Sequence, residues 1–317
     1  MRVAAIDCGT NSIRLLIADV SGHASPVLTD IHREMRVVRL GQGVDATGML
    51  APEALERTFA ATDDYAALIR ENGVERVRFV ATSATRDAGN RDIFVNGIKD
   101  RLGVAPEVVS GAEEAGLSFA GATSVLPAMG GELVLVVDLG GGSTEFVVGN
   151  AEGVQAAIST DMGCVRFTER YLRSDPPTAA EITAAEAAVE AKMADVLAVV
   201  PLAQVTKVVG VAGTITTITA QALGLASYER EAIHAATVPL EKLEAAAGEL
   251  LGMTRAQRAD LGFMHPGRVD VIGAGSLIWS SVLRRLAVLT DGRLESATTS
   301  EHDILDGIAL GAAGVVS

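Results

Sequence analysis

Aromatic residues make up only 3% of this 317-residue chain, and it has just two cysteines, Cys8 and Cys164. The first scarcity leaves Val, Ile, Leu and Ala to fill the core, which can be large because 49% of the residues are hydrophobic and 21% are charged. The second excludes a disulfide framework and a cysteine metal cluster, so both cysteines read as small buried residues. Positive charge is also short, with 26 Lys and Arg against 40 Asp and Glu, a formal net charge of −14. A general nucleic-acid binder needs a basic footprint, so no nucleic-acid partner is expected. A polyanionic ligand would have to be held locally, by backbone amides, a few arginines and bound cations. No uninterrupted apolar run reaches membrane-spanning length, and the opening MRVAAIDCGTNS reads as a strand, not a signal peptide. The expectation is a soluble, cytoplasmic protein with no membrane partner. No GxxxxGK[ST] occurs, which excludes a P-loop NTPase. A dinucleotide fingerprint in the 140s fails as well, because Ser143-Thr144-Glu145 occupies the place of its third glycine.

What is present centres on Leu133–Val148, LVLVVDLGGGSTEFVV. An apolar run ends in Asp138, the loop Gly140-Gly141-Gly142-Ser143 follows, and a second apolar run begins at Phe146. The pattern is strand, tight polar loop, strand. Glycines let a backbone approach an anion and aim several N–H groups at it. Asp138 would repel phosphate unless a cation sat between them, so the loop asks for a metal–phosphate ligand. The N-terminus repeats the pattern: Val3–Ile6, then Asp7-Cys8-Gly9-Thr10-Asn11-Ser12, then Ile13–Val20. Asp7 matches Asp138, Gly9 matches Gly140 and Ser12 matches Ser143. Two copies of D-x-G-x-x-S between strands form an internal repeat. They predict two similar α/β domains, each offering one hairpin loop to a shared cleft. A third anion-binding device is the strand 205–209 running through Gly210 to Gly213 and Thr214 into a helix N-terminus.

Other stretches carry candidates beside structural alternatives. Arg36 and Arg39 are either structural or substrate-facing. Residues 82–90 read as a hydroxyl-rich loop after strand 77–81, in which Arg86 either forks onto phosphate or makes a surface turn with Asp87. Ser110 and Glu113 form a capping box, which accounts for Glu113 but not for Glu114. A carboxylate in the first helical turn, as Glu114 is, could face the cleft and take a proton from water. Pro52 opens a helix to residue 72, and Thr178 with Glu181 caps a long helix over 179–199. Residues 239–259 read as one helix, Leu126–Gly131 as a turn-rich connection, and Val288-Leu289 as the approach to a strand. His265 reads as a turn residue, and Arg268 with Asp270 as an ion pair.

The motifs VAAIDCGTNS, VVRLGQG, TSATRDAGN, SGAEEA, VVDLGGGSTE, DMGCVRF, GVAGTITT and HPGRVDVIGAG together resemble the exopolyphosphatase/guanosine pentaphosphate phosphohydrolase (Ppx/GppA) family, of the actin-like phosphotransferase superfamily, across nearly the whole chain. The resemblance implies two ribonuclease-H-like (actin-like ATPase) domains flanking a central cleft. The first spans 1–124 and is completed by a C-terminal helix at 300–317, and the second spans 125–299. It implies Glu114 as the base that activates water, with Glu145 and Arg86 assisting. It implies Asp138 and Glu145 as holders of Mg²⁺, or of Mn²⁺ in its place. Asp7, Gly9, Thr10, Asn11, Ser12, Gly140, Gly141, Gly142 and Ser143 would cradle phosphates, and Gly213 and Thr214 would hold the chain beyond. The implied substrate is inorganic polyphosphate, with guanosine pentaphosphate as the alternative. Longer members carry extra C-terminal helical domains without counterpart here, which favours short chains, and a homodimer is implied by resemblance alone. Two other readings use the same loops: an ATP-dependent sugar or acetate kinase, and a non-catalytic nucleotide or alarmone sensor. The set Glu114, Asp138 and Glu145 speaks against the sensor, since binding alone does not need it.

Overall fold

The computed structural model describes residues 1–22, 27–123 and 131–314. The chain divides into two compact units, Met1–Ser124 with Asp303–Ser317, and Val125–His302. Unit 1 runs β1 (Arg2–Cys8), β2 (Ser12–Ser21), β3 (Val27–Val37), α1 (Val44–Thr47), α2 (Pro52–Glu71), β4 (Arg76–Ala81), α3 (Ser83–Asp87), α4 (Arg91–Leu102), β5 (Glu107–Val108) and α5 (Gly111–Thr123). Unit 2 runs β6 (Val134–Leu139), β7 (Thr144–Asn150), β8 (Gly153–Thr160), α6 (Cys164–Arg170), α7 (Ala179–Val199), β9 (Lys207–Val211), α8 (Ala212–Leu223), α9 (Arg230–Ile233), β10 (Thr237–Pro239), α10 (Leu240–Gly252), α11 (Arg255–Ala259), α12 (Ile272–Leu289) and β11 (Ser296–Thr299). The last helix, α13 (Ile304–Ala312), returns to unit 1.

The repeat seen in the two loops extends to the wiring of both sheets. Unit 1 has the order β3-β2-β1-β4-β5, and unit 2 has β8-β7-β6-β9-β11 with β10 added at the edge. In each, the first three strands pair antiparallel as a meander, and the first strand also pairs parallel with the fourth. This is the ribonuclease-H-like arrangement, present twice. Each sheet places the tip of its first hairpin beside the C-terminal ends of its parallel strands, where ligands of open α/β sheets bind.

Strand alternation sorts the unit 1 core into two layers. Ala4, Ile6 and Cys8 face Leu55, Tyr65 and Ile69 of α2 and Phe94 and Ile98 of α4. Val3 and Ala5 face Leu117 of α5 and Ile304, Leu305 and Ile308 of α13. Asp7 continues the second register, so its side chain is directed to the face that α5 and α13 cover. In unit 2, Leu135, Val137, Phe146 and Val148 join one large cluster with α7, α8, α10 and α12, around the fully buried Trp279. Asp138 and Glu145 belong to the opposite alternation. One described helix, α12, is long and apolar enough to cross a membrane, and 67% of it is buried in the structure.

The capping signals hold where they were read. Thr178 Oγ1 accepts from Glu181 N at 3.2 Å while Thr178 N donates to Glu181 Oε2 at 2.8 Å, and α7 spans Ala179–Val199. The amides and hydroxyls of Thr178 and Ser174 draw the Glu181 carboxyl down to about 2. Elsewhere the sequence reading needs correction. The stretch after β4 is helix α3, because Thr82 O accepts from the amides of Thr85 and Arg86 at 3.1 and 3.0 Å. The single helix over 239–259 is two, since Thr254 and Gln257 form a capping box that restarts it. Val288 and Leu289 end α12, and the strand comes later, at Ser296–Thr299. The connection read over Leu126–Gly131 lies, except for Gly131, outside the described residues.

Helices α5 and α13 cross in backbone contact. A Cβ on Gly121 would stand 1.7 Å from Asp303 O, and one on Gly307 would stand 2.0 Å from Leu117 O. Neither neighbour is a side chain that can turn aside. Gly307→Ala is therefore expected to lower the unfolding free energy by about 1–3 kcal/mol. Urea denaturation checks this, and an unchanged midpoint would contradict the crossing.

Candidate active site

The tip between β1 and β2 is a tight turn closed by Gly9 N donating to Ser12 O at 3.0 Å, and the tip between β6 and β7 is closed identically by Gly140 N and Ser143 O at 3.0 Å. Each tip is tied down from behind by a later motif. At the first, Val38 N and Arg39 N donate to Asn11 O at 3.1 and 2.8 Å, and Gly41 N donates to Thr10 O at 2.9 Å. At the second, Cys164 N donates to Gly140 O at 3.0 Å, and Val165 N and Arg166 N donate to Gly141 O at 2.8 and 3.2 Å. Arg166 Nε adds a bond to Gly142 O at 2.8 Å. The carbonyls are thus occupied on the protein side. Among the described residues the amides of Thr10, Asn11, Gly141 and Gly142 meet no acceptor. Such amides, at glycine-rich tips, form an anion-binding concavity.

The tethers require glycines that the sequence reading passed over. A Cβ on Gly41 would lie 2.3 Å from Thr10 Cγ2, and one on Gly163 would lie 2.3 Å from Gly141 O. Arg39 holds a left-handed φ of 50°, a conformation uncommon outside glycine and asparagine. Its amide bond to Asn11 O keeps it there. Asn11 Oδ1 is buried with no hydrogen-bond partner. Turning that amide by 180°, which its shape does not distinguish, presents Nδ2 as a further donor to an anion. Arg36, by contrast, is committed to structure. It contacts Glu34 at 2.5 Å, pairs with Asp64 and lies 5.4 Å over the Tyr65 ring.

Beside the second tip, Asp138 and Glu145 are direct cross-strand partners in the β6–β7 register, so their side chains share a face. They are 7% and 1% exposed, and Glu145 Oε1 accepts from Ser159 Oγ at 2.6 Å. Two carboxylates at the roughly 5 Å of such pairs repel by about 3 kcal/mol at an effective dielectric of ~20. A bound cation reverses that sign. The donors are all oxygen and few, which suits Mg²⁺: it keeps several waters and takes one or two carboxylates plus phosphate oxygens. Among the described residues no group of three or more His, Cys, Asp or Glu gathers in metal-holding geometry, so a cation here would rely on water and ligand for the rest of its shell.

The third device is β9 running into α8. Thr214 is 5% exposed. The buried thiol of Cys164 contacts the Thr214 side chain, and burial raises its pKa against that contact and the nearby charge of Arg268. Cys164 therefore links α8 to the loop whose Gly140 it tethers. Arg268 lies directly on Gly213, where a Cβ would stand 2.0 Å from Cζ, and its Nη1 is 3.5 Å from Thr217 Oγ1. Asp270 is 3.6 Å from Arg255, so the expected Arg268–Asp270 pair gives way to this placement. A guanidinium over a helix N-terminus is unfavourable by itself, and an anion satisfies both.

In unit 1 the end of β4 leads to Ser83, whose Oγ is 2.9 Å from Thr10 Oγ1. Helix α3 then carries Arg86 inward. Its Nη1 donates to Val109 O at 2.8 Å and lies 3.2 Å from Glu114 Oε2. The alternative of a surface turn with Asp87 does not describe it. Glu113 and Glu114 diverge: Glu113 is exposed and bound to Ser110 N at 2.8 Å, whereas Glu114 is 7% exposed. Thus Thr10, Ser83, Arg86 and Glu114 are brought together at one edge of unit 1. Asp7 is paired with an arginine. Arg14 donates from Nε and Nη2 to Asp7 Oδ2 at 2.9 and 2.6 Å, and from Nη1 to Asp303. Burial raises the Asp7 pKa although Arg14 opposes it. Asp303 is held below the usual range despite burial, because it has both Arg14 and the Leu305 amide.

The family model for the Ppx/GppA phosphatase family matches residues 16–310. Exopolyphosphatase 2 of Mycobacterium tuberculosis is 54% identical over 319 residues, covering 99% of each chain. Among solved structures, an exopolyphosphatase-like protein superposes with a TM-score of 0.92 at 44% identity over 98% of each chain. A Ppx/GppA family member from Aquifex aeolicus superposes with 0.79 at 29% identity, over 99% of this chain and 97% of that one.

Gly163→Ala is expected to push α6 off Gly141 O and loosen the second tip. The strain is about 1–3 kcal/mol, and at ~1.4 kcal/mol per factor of ten it weakens binding of inorganic tripolyphosphate by about fivefold to a hundredfold. Titration calorimetry measures this, with circular dichroism as the check on folding.

Proposed function

The chain belongs to the Ppx/GppA phosphatase family, and from that premise we propose that it is an exopolyphosphatase: it hydrolyses the terminal phosphoanhydride of inorganic polyphosphate, releasing orthophosphate and a chain one unit shorter. The observation that carries this reading is the Asp138–Glu145 pair on adjacent strands, next to a loop with free amides. The 54% identity to an exopolyphosphatase over the full length supports the substrate.

Phosphoryl transfer needs positioning, charge neutralisation and an oriented nucleophile more than covalent help. At each tip the open amides, those of Thr10 and Asn11 on one and of Gly141 and Gly142 on the other, are donors for phosphate oxygens, and such donors stabilise charge that spreads over those oxygens in the transition state. Asp138 and Glu145 would hold Mg²⁺, or Mn²⁺, which when bound neutralises phosphate oxygens. Arg268 and the α8 N-terminus hold a neighbouring phosphate of the chain. Arg86 fixes the Glu114 carboxylate, and Glu114 accepts a hydrogen bond from the attacking water and takes its proton. The water oxygen bonds to the terminal phosphorus, and the bridging P–O bond breaks with its electrons on the shortened chain. The proton then leaves Glu114 for solvent.

Glu114→Gln is expected to retain polyphosphate binding and lose about 10²–10⁴-fold in kcat, the usual worth of a positioned base. Phosphate release from chains of defined length, and from guanosine pentaphosphate, measures it and ranks the two substrate classes. Full turnover in the variant would remove Glu114 from its role. Release of phosphate only with ATP and an acceptor hydroxyl would make the protein a kinase instead. Separately, chelation is expected to abolish turnover and Mg²⁺ or Mn²⁺ to restore it, while Asp138→Ala stays inactive at modest metal excess. Activity in the presence of chelator would contradict the cation's place.

A further inference from the structure

The two hairpins repeat each other in sequence and in turn geometry, but they differ at one position that bears charge. Asp7 pairs across the strands with Arg14. Asp138 pairs across the equivalent strands with Glu145. Both partners lie seven residues after their aspartate, so one structural position holds a cation in unit 1 and an anion in unit 2. We infer that Arg14 is a resident counter-ion that takes, at the first loop, the place a divalent cation takes at the second.

Arg14 is built to stay. Its side chain is 20% exposed, and all three guanidinium nitrogens are spent on the carboxylates of Asp7 and Asp303. Asp303 is in turn fixed: it is the N-cap of α13, and its Oδ1 accepts from Leu305 N at 3.0 Å. A second arginine repeats the arrangement behind it, with Arg33 Nη2 on Asp306 Oδ1 at 2.5 Å and Nε on Asp30 at 2.8 Å. Helix α13 thus brings two buried aspartates to a face where β2 and β3 supply two arginines. The second hairpin has a hydroxyl donor, Ser159, on Glu145 and an acidic pair that a hard cation completes. A carboxylate whose Oδ2 takes two N–H donors of one arginine has less to offer a metal, because ligation at that oxygen would require breaking charge-assisted bonds. One loop design therefore serves two ends. The first loop meets phosphate through its amides with its aspartate silenced, and the second meets it through its amides and a cation. Arg14 is a positioning residue: it touches neither substrate nor metal.

The inference rests on the reading of Asp138 and Glu145 as the cation-holding pair, and the experiment separates the two. Mn²⁺ binding is counted by electron paramagnetic resonance in four proteins that share an Asp138→Asn background, which takes the second loop out of the count. Adding Arg14→Glu recreates an aspartate–glutamate pair at the first loop and is expected to create one new Mn²⁺ site, at least tenfold tighter than anything in the background alone. Adding Asp7→Asn to that protein is expected to remove the site. Arg14→Lys, which keeps the counter-ion, is expected to create none. If Arg14→Glu is too unstable at the assay temperature, Arg14→Gln replaces it. That variant leaves Asp7 and Asp303 without their cation, and its melting temperature is expected to rise with millimolar Mn²⁺ and fall back with chelator. A folded Arg14→Glu protein with no added site, an Arg14→Gln protein indifferent to Mn²⁺, or an Arg14→Lys protein that gains the site would each overturn the inference. A chain with Asp138 intact that binds no Mn²⁺ would instead sink the reading of the second loop, leaving the count at the first unaffected.

Discussion

Both halves of the molecule depend on one constraint on a few backbone atoms. A hairpin tip has as many carbonyls as amides, and carbonyls repel phosphate. Binding an anion there requires the carbonyls to be engaged elsewhere while the amides stay open. The structure meets this at the first tip with the segment around Gly41 and at the second with the start of α6. Those tethers explain why VVRLGQG and DMGCVRF occur where they do, and why each contains a glycine with no room for a methyl group.

The same tethers account for the strained and buried features nearby. Arg39 adopts a left-handed φ next to the first tip, and Ala212, with φ of 72°, does so at the entry to α8. Non-glycine residues in that region cost of order 1–3 kcal/mol and persist only where their surroundings hold them. Here the surroundings are a loop carbonyl in one case and a strand-to-helix turn in the other. Cys164 is inert by burial and acts as packing and as a tether donor, consistent with reading it as a small buried residue.

Charge is distributed by the same logic. A chain of net charge −14 that handles a polyanion cannot rely on a general positive field, so cations are placed singly. Arg86 stands beside Glu114, Arg268 on the α8 N-terminus and Arg14 between Asp7 and Asp303. In each position the arginine has a fixed partner, which orients it before any ligand arrives. Glu113 and Glu114 show how local structure divides labour between neighbours: the capping box consumes the first, and the helical turn directs the second inward.

The sequence by itself determined the doubled loop, the α/β class and the capping boxes, because these are written in short-range pattern: alternation, glycine spacing and Thr–x–x–Glu. It also offered Glu114, Asp138 and Glu145 as candidates, through family resemblance and, for Asp138, through a carboxylate ending an apolar strand. What only the tertiary structure decided were the partners separated by long stretches of chain. Arg14 meets Asp303, Gly163 meets Gly141, Arg268 meets Gly213 and Gly121 meets α13. It also decided that residues 83–87 turn helical and that the helix over 239–259 restarts at Thr254. The reason is common to all of these. Periodicity records which face of an element is buried, but the identity of the opposing group follows from strand order and helix crossing, which no local pattern encodes.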